Sequence, residues 1–386
     1  MNYIQRILDL STLLNSRSVL LLGPRQSGKS TYIKHQLSVP ISASYNLLNQ
    51  STYLQLSHDQ TRIRQEVLGN KWQGGLIVID EIQKIPQLLD EVHLMIEDLQ
   101  VRFLLTGSSA RKLKSSDVNL LGGRARMRNL HPLVYKELGN NFDLTKAMYN
   151  GLLPQHYFSD LIDDDLAAYI GLYLNEEIKA EGLSRNIPGF ARFLEVAATC
   201  NTQMLNFTSV ASDAQISRQT IQNYFQILVD TLLGFYLPPF EETLKRKTTH
   251  TNKFYFFDMG IVRALRRLGE ISKQSNDFGG FFEHFIFLEL KAYISYKKPQ
   301  SILSYWQSKS GFEVDFLLDK KLAIEVKSST NISDKHLRGL KALAQENIIK
   351  TSIIVCFEEN KRKIGDILIY PWKVFLEELW NGDFDY

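Results

Sequence analysis

The chain has 386 residues, with 45 Lys and Arg against 42 Asp and Glu and a formal net charge of +3. This balance excludes a strongly basic protein, so nucleic acid would have to be bound through local patches. The polar start and the lack of an apolar run of about 18 residues predict neither a signal peptide nor a membrane span. Cys200 and Cys356 lack metal-ligand spacing, which favours a reduced, cytoplasmic protein.

The first 140 residues predict an α/β domain. Three apolar runs, at residues 18–22, 75–80 and 101–109, have the composition of strands buried in a parallel sheet. Residues 87–99, between the second and third runs, carry apolar side chains at helical spacing. Strand, helix and strand in this order are typical of an α/β fold.

A glycine-rich motif follows the first predicted strand. The sequence GPRQSGKS at residues 23–30 matches G-x-x-x-x-G-K-[S/T] at every fixed position. In such a loop, backbone amides wrap a phosphate chain, the lysine reaches the β- and γ-phosphates, and the hydroxyl binds Mg²⁺. We therefore predict ATP and Mg²⁺ as cofactors, with Ser30 as a metal ligand. The predicted ATP-binding loop consists of Gly23, Pro24, Arg25, Gln26, Ser27, Gly28, Lys29, Ser30 and Thr31.

Polar residues at the ends of the next two strands complete this predicted site. Asp80 and Glu81 end the run LIVIDE, where Asp80 would hold magnesium through water and Glu81 would orient the attacking water. Thr106 and Ser108 lie at the tip of the following strand, where a hydroxyl would contact the γ-phosphate. An ordinary Ser/Thr-rich turn is an equal alternative for either hydroxyl.

Phosphoryl transfer also requires positive charge near the γ-phosphate, and the run LLGGRARMRNL supplies three arginines. Arg124, Arg126 and Arg128 have i, i+2 spacing, which suits a strand edge or a solvated face equally well. We favour Arg124 as a catalytic arginine that is supplied by a neighbouring subunit. Activity would then depend on a homo-oligomer.

The middle of the chain is predicted to be helical. Residues 209–234 resemble a helix-turn-helix, with Ser217 as the N-cap of the second helix. A recognition helix would present four side chains to a major groove, whereas a lid or protein-contact role is at least as common. These side chains are Arg218, Gln219, Gln222 and Asn223. The basic run 243–253 would be a wing that contacts phosphates, with a solvated loop as the alternative.

The last part of the chain returns to mixed α/β patterning, with an amphipathic helix at residues 281–296 and a strand pair that carries three charged residues. Asp315 on one strand is followed by Glu325 and Lys327 on the next, and the turn 319–321 would bring Asp315 beside Glu325. Because side chains alternate along a strand, Glu325 and Lys327 face the same side. Such a group can bind Mg²⁺ and cut a phosphodiester, but an exposed hairpin can carry the same residues.

These motifs, in this order, resemble a group of prokaryotic AAA-superfamily ATP-binding proteins whose C-terminal domain has no known function. The resemblance runs from GPRQSGKST and LIVIDEIQKIP to GFEVDFLL and LAIEVKSS, and so covers nearly the whole chain. It implies a P-loop AAA-type ATPase domain at residues 1–140 and a winged-helix-like domain at residues 141–270. It further implies a restriction-endonuclease-like α/β domain of the PD-(D/E)XK type at residues 271–386, and a homo-oligomer.

In restriction-type nucleases, the residues equivalent to Asp315 and Glu325 bind the metal, and Lys327 would orient or deprotonate the attacking water. The resemblance adds Glu283 as a further acid, and Trp306 and neighbouring residues would line a nucleic-acid groove. The expected function is a Mg²⁺-dependent ATPase that acts on DNA or RNA and whose nuclease-like centre either cuts or only binds. The alternative is a nucleotide-switched oligomer, or an ATPase that remodels a protein partner, with a silent nuclease-like domain.

Overall fold

The computed structural model describes residues 3–109, 123–173, 178, 186–243 and 245–384. The chain divides into two compact units. The first comprises Met1–Leu133 and Asp230–Leu232, and the second comprises Val134–Val229 and Leu233–Tyr386. The division predicted at residue 270 lies within the second unit.

A parallel sheet forms the centre of the first unit. Its strands are β1 (Ser18–Leu22), β2 (Ala43–Asn46), β3 (Leu76–Asp80), β4 (Arg102–Gly107) and β5 (Ala125–Asn129). Their order is β2-β3-β4-β1-β5, and every neighbouring pair is parallel. All residues of β1 and β3 are buried, as expected of continuous apolar runs in a covered parallel sheet. The predicted α/β class is confirmed for this unit.

Helices flank this sheet in the described part of the first unit. They are α1 (Ser11–Leu14), α2 (Lys29–His35), α3 (Gln50–His58), α4 (Arg62–Asn70) and α5 (Leu88–Leu99), with a 3₁₀ turn at Ile82–Lys84. Helix α5 buries Leu88, Leu89, Val92 and Met95, which recur at helical spacing. The helix predicted at residues 87–99 is therefore confirmed.

The second unit begins with a helical region. Its helices are α6 (Tyr135–Leu138), α7 (Leu144–Asn150), α8 (Pro154–Tyr157), α9 (Ile162–Tyr173), α10 (Ile187–Thr199), α11 (Phe207–Ala214), α12 (Arg218–Asp230) and α13 (Met259–Leu265), with a 3₁₀ turn at Gly139–Asn141. The antiparallel strands β6 (Gly234–Leu237) and β7 (Lys253–Phe256) lie between α12 and α13. The helical middle region is therefore confirmed.

Helices α11 and α12 form the predicted helix-turn-helix. Gln215 adopts a left-handed conformation (φ 55°) that ends α11. The Thr220 N–H donates to Ser217 Oγ at 3.2 Å, so Ser217 caps the start of α12 as predicted. The antiparallel pair β6–β7 follows directly after α12.

The described residues of the basic run 243–253 do not form a free wing. Arg246 Nη1 donates to the Ala342 carbonyl at 2.9 Å, and the Thr249 N–H donates to the Gln307 carbonyl at 3.1 Å. Lys253 is buried. The prediction that this run contacts phosphates is wrong for Arg246 and Lys253, because protein oxygens already bind both cationic groups.

A mixed sheet completes the second unit. Its strands are β8 (Leu303–Gln307), β9 (Glu313–Leu318), β10 (Leu322–Val326), β11 (Thr351–Cys356), β12 (Arg362–Ile364) and β13 (Ile367–Pro371), in the order β12-β13-β11-β10-β9-β8. The pairs β10–β11 and β11–β13 are parallel, and the others are antiparallel. The accompanying helices are α14 (Phe278–Lys297), α15 (Arg338–Ala344) and α16 (Trp372–Asn381), with a 3₁₀ turn at Asp334–Leu337.

Helix α14 is buried on most sides rather than amphipathic, so that prediction is wrong. It packs against α7 and α13 of the helical region and also against β10 and α16 of the sheet region. A helix surrounded in this way has no single polar face, and most of its side chains are buried. In the described ranges, no helix is both long and apolar enough to cross a membrane.

The buried Glu289 in α14 provides a test of this packing. Its carboxylate accepts hydrogen bonds from the Tyr135 N–H and from Trp380 Nε1, both at 2.7 Å. Burial outweighs these donors and raises the pKa of Glu289 to about 8. The folded protein therefore holds a proton that the unfolded chain loses above its ordinary pKa of about 4.3.

The free energy of unfolding should consequently fall as the pH rises from about 5 to about 8, and this contribution should level off above pH 8. Glu289→Gln, which cannot ionise, should flatten this part of the profile. Urea unfolding of both proteins across this range measures the difference. If the free energies of unfolding of both proteins changed equally with pH, folding would not raise the pKa of Glu289.

Candidate functional site

The predicted ATP-binding loop joins β1 to α2 at the carboxyl edge of the parallel sheet. Gly28 has a left-handed φ of 95° and immediately precedes α2. A Cβ on Gly23 would lie 2.6 Å from the Leu130 carbonyl, so only glycine fits there. Lys29 Nζ donates to the Gly23 and Pro24 carbonyls at 2.8 and 3.1 Å. In this conformation, the lysine is folded back over its own loop.

The predicted magnesium ligands meet beside this loop. Ser30 Oγ donates to Asp80 Oδ2 at 3.0 Å, and Thr106 Oγ1 donates to Asp80 Oδ1. These three residues come from α2, β3 and β4, and parallel pairing places the carboxyl ends of β3 and β4 at one edge. Hydroxyl and carboxylate oxygens are the donors that Mg²⁺ prefers, so the donor set fits this ion.

The Glu81 carboxylate is held in place by two further side chains. Gln83 Nε2 donates to Glu81 Oε2 and, at 3.1 Å, to Ser108 Oγ. Ser108 Oγ lies 3.3 Å from the same Glu81 oxygen. Glu81 itself has a φ of 63°, which is uncommon for a residue other than glycine and frequent at functional sites. Gln83 was not predicted, because no motif distinguishes it in the sequence.

Arg124 lies at the amino-terminal end of the parallel strands, whereas the ATP-binding loop of its own chain lies at their carboxyl end. The parallel pairing of Ser18 with Ala125 places Arg124 beside the start of β1, whereas the loop follows the end of β1. The intervening strand spans roughly 13–17 Å. Arg124 also forms an ion pair with Glu97. Within one chain the structure therefore does not bring Arg124 to the loop, and only a neighbouring subunit could use it there.

Arg6 is a buried contact of the ATP-binding loop that sequence patterns did not reveal. Its Nη1 donates to the Ser27 carbonyl at 2.9 Å. Its Nη2 donates to the carbonyls of His131 and Pro132, at 2.5 and 3.1 Å. One guanidinium thus joins the loop to the segment that follows β5. Its position before the first strand gave no signal of this role.

The second group of predicted site residues forms a cluster that we call the acidic centre. It consists of Glu283, Glu313, Asp315, Glu325, Lys327 and Lys253. Pairing of Ile324 with Phe316 places Asp315 beside Glu325, as predicted. Lys327 Nζ lies 2.6 Å from Glu325 Oε1. Asp315 Oδ2 accepts a hydrogen bond from the Val326 N–H at 2.8 Å.

Lys253 of β7 also enters the acidic centre, although it was not predicted as a site residue. Its Nζ lies 2.5 Å from Glu313 Oε1, 3.3 Å from Glu283 Oε1 and 4.0 Å from Asp315 Oδ1. Tyr255, two residues further along β7, donates its hydroxyl to Glu283 Oε1 at 2.6 Å. The alternation of side chains along β7 therefore directs both groups to one place.

Burial dominates the electrostatics of the acidic centre. It raises the pKa of Glu283 to about 7, against the opposing effect of Lys253. Burial, with the negative charge of Asp315, raises the pKa of Glu325 to about 8. Burial alone would lower the pKa of Lys253, but the carboxylates of Glu283, Asp315 and Glu313 reverse this and raise it. Lys253 therefore carries its positive charge at neutral pH.

The predicted metal ligands Asp315 and Glu325 do not form an open cation site in this arrangement. Across the described ranges, no group of three or more His, Cys, Asp or Glu side chains could hold a metal ion. Glu325 Oε2 is buried and has no hydrogen-bond partner, but Lys327 occupies the other oxygen. A divalent metal therefore does not fit the side chains as they lie. Trp306 is fully buried, so its predicted place in a nucleic-acid groove is wrong.

Three family matches divide the chain. Residues 15–139 match the family described as AAA domain. Residues 141–272 match a Domain of unknown function (DUF8612), and residues 278–375 match another Domain of unknown function (DUF4143). The first match shows that the parallel-sheet unit is similar to AAA domains, and it supports ATPase activity at the level of that family. The nuclease-like identity of the last region stays a prediction.

Two relatives are 24% identical to this chain over 348 residues, covering 87% of it and 76% of each relative. They are Uncharacterized protein Mb2031c of Mycobacterium bovis and Uncharacterized protein Rv2008c of Mycobacterium tuberculosis. The solved ORC2 protein of Aeropyrum pernix, in ADPNP-ADP complexes, has 12% identity and a TM-score of 0.29, covering 66% of this chain and 92% of that one. C. elegans PCH-2 has 13% identity and a TM-score of 0.26, covering 57% and 63%. At these TM-scores the two likenesses are too weak to assign a fold or a function to this chain.

The Arg6 contact predicts an effect on nucleotide affinity. Arg6→Met should leave the Ser27 carbonyl without its guanidinium donors and loosen the loop, weakening ATP binding by about tenfold, or about 1.4 kcal/mol. Titration with a fluorescent ATP analogue measures this. Arg17→Met, at an exposed position, is the matched control and should bind as the wild type does. Equal affinity of the Arg6 variant would exclude this positioning role.

Proposed function

We propose that the first unit binds Mg²⁺-ATP and hydrolyses it. The observation that carries this proposal is the meeting of Ser30, Asp80 and Thr106 beside a complete phosphate-binding loop. The match of residues 15–139 to the AAA domain supports it. Mg²⁺ would be held by Ser30 and, through water, by Asp80, and when bound it would neutralise charge on the phosphates.

The other residues have separate roles in this proposal. Lys29 leaves the Gly23 and Pro24 carbonyls and binds the β- and γ-phosphates when ATP enters. Glu81 orients the attacking water, while Gln83 and Ser108 position its carboxylate. The hydroxyls of Thr106 and Ser108 would contact the γ-phosphate.

We further propose that the active form is a homo-oligomer. The argument is the position of Arg124 at the edge of the sheet opposite the loop of its own chain. A γ-phosphate stabilised by this arginine must therefore belong to a neighbouring subunit. Its present partner, Glu97, is half exposed and would have to release it.

Two substitutions separate binding from hydrolysis. Lys29→Ala should abolish nucleotide binding, because the phosphates lose their cation. Glu81→Gln should bind ATP but lower kcat by about 10²–10⁴-fold, because the water loses its orienting carboxylate. Nucleotide titration and phosphate release measure the two effects. Asp98→Asn, which changes an exposed acid on α5, is the control and should retain activity. Normal ATP hydrolysis by the Lys29→Ala variant would refute the proposal that this loop binds ATP.

We also propose that the second unit contacts nucleic acid, DNA or RNA, through α12. This helix buries Ile221, Tyr224 and Leu228 and exposes Arg218 and Asn223 on its other side. Exposed polar residues on the second helix of a helix-turn-helix are the arrangement that reads a major groove. The alternative is that this face binds a protein partner that the ATPase remodels.

Replacement of Arg218 by Ala, combined with Asn223→Ala, tests this surface. We expect duplex DNA to bind more weakly, with a salt dependence reduced by about one unit, because a cation that contacts phosphate is lost. Fluorescence anisotropy at several salt concentrations measures both. Arg192→Ala, an exposed arginine of α10, is the matched control. Unchanged affinity of the double variant, with a polypeptide stimulating ATP hydrolysis, would favour the protein-remodelling alternative.

Whether the acidic centre cuts nucleic acid is a separate question. The fold expected from the resemblance would use Asp315, Glu325, Lys327 and Glu283 around a metal ion. With Lys253 among these carboxylates, the arrangement favours a nuclease-like domain that binds without cutting.

A further inference from the structure

Lys253 reaches the acidic centre from outside the mixed sheet. Asp315 and Glu325 belong to β9 and β10, whereas Lys253 is the first residue of β7 in the helical region. Its side chain is only 5% exposed. A buried ammonium is stable only where negative groups surround it, so its position has to be explained by what it contacts.

The contacts place the ammonium among oxygens that a metal ion would need. Glu313, Glu283 and Asp315 each direct an oxygen toward Nζ, at 2.5, 3.3 and 4.0 Å. The ring of Tyr305 lies on another side, with its centroid 5.4 Å from Nζ, and adds a cation–π contact. The lysine thus has the surroundings of a bound cation.

The backbone of Lys253 is fixed from both sides. Lys253 pairs with Leu237 of β6 and forms an isolated antiparallel bridge with Met204. The N–H of the next residue, Phe254, donates to the Gln203 carbonyl at 3.1 Å. The ammonium therefore cannot leave the carboxylates by a movement of the main chain at this one residue. A shift of the whole β6–β7 pair, or extension of the side chain toward solvent, would be required.

We propose that Lys253 is a built-in cation that takes the place of a divalent metal and keeps the acidic centre closed to metal ions. Mg²⁺ and Mn²⁺ need oxygen ligands close to the ion, and an ammonium beside the same carboxylates opposes them by charge and by volume. The acidic centre is then a contact that ties the helical region to the mixed sheet. This inference is independent of the proposed ATPase activity.

Mn²⁺ binding to the full chain without nucleotide tests the proposal. Wild type should show no Asp315-dependent Mn²⁺ site up to about 1 mM, as measured by the electron paramagnetic resonance signal of free Mn²⁺. Lys253→Met, which is of similar length and has no charge, should gain one Mn²⁺ site. Its Kd should lie at least about tenfold below the roughly 1 mM limit of the wild-type titration. Addition of Asp315→Asn should remove the gained site. Mn²⁺ should also raise the Tm of Lys253→Met by more than it raises that of wild type.

Two further variants keep the test decisive. Lys291→Met removes a partly buried lysine, which lies over the Phe235 ring, and should gain no Mn²⁺ site. Lys253→Met combined with Glu313→Gln leaves the net charge of the acidic centre unchanged, and it replaces the single variant if that one does not fold. Asp315-dependent Mn²⁺ binding by wild type would overturn the proposal. So would a folded Lys253 variant that gains no Mn²⁺ site.

Discussion

The buried ion pairs of Lys253 link the helical region of the second unit to its mixed sheet. The ammonium lies among carboxylates that come from a helix and from a strand of the mixed sheet, while its own strand belongs to the helical region. Removing one partner of such a buried group leaves charges without compensation, which typically destabilises a protein by about 3–5 kcal/mol. This contact and the packing of α14 both join the two regions within one compact unit.

A different constraint organises the first unit. Because its five strands are parallel, their carboxyl ends lie along one edge, and the loop after β1 is brought beside the ends of β3 and β4. Ser30 and Asp80 are 50 residues apart in the chain but meet within hydrogen-bonding distance. The same geometry places Arg124 at the far edge, away from the ATP-binding loop of its own chain.

The acidic centre shows how far residue spacing alone can lead. The positions of Asp315, Glu325 and Lys327 predicted a strand pair with adjacent acids, and the structure contains that pair. Spacing could not reveal that Lys253, from a run interpreted as a phosphate-binding wing, is buried among those acids. The predicted amphipathic helix failed for a related reason. Its charged residues suggested an exposed face, whereas Glu289 is buried between Tyr135 and Trp380.

The sequence by itself determined the elements whose signals are local. The apolar runs became β1, β3 and β4, the glycine pattern became the loop at residues 23–30, and Ser217 became a helix cap. Only the tertiary structure decided which distant side chains meet: Arg6 with the loop, Gln83 with Glu81, and Lys253 with the acidic centre. The physical reason is that strand and turn signals depend on neighbouring residues. Buried polar contacts instead depend on which elements the packing of the whole unit brings together.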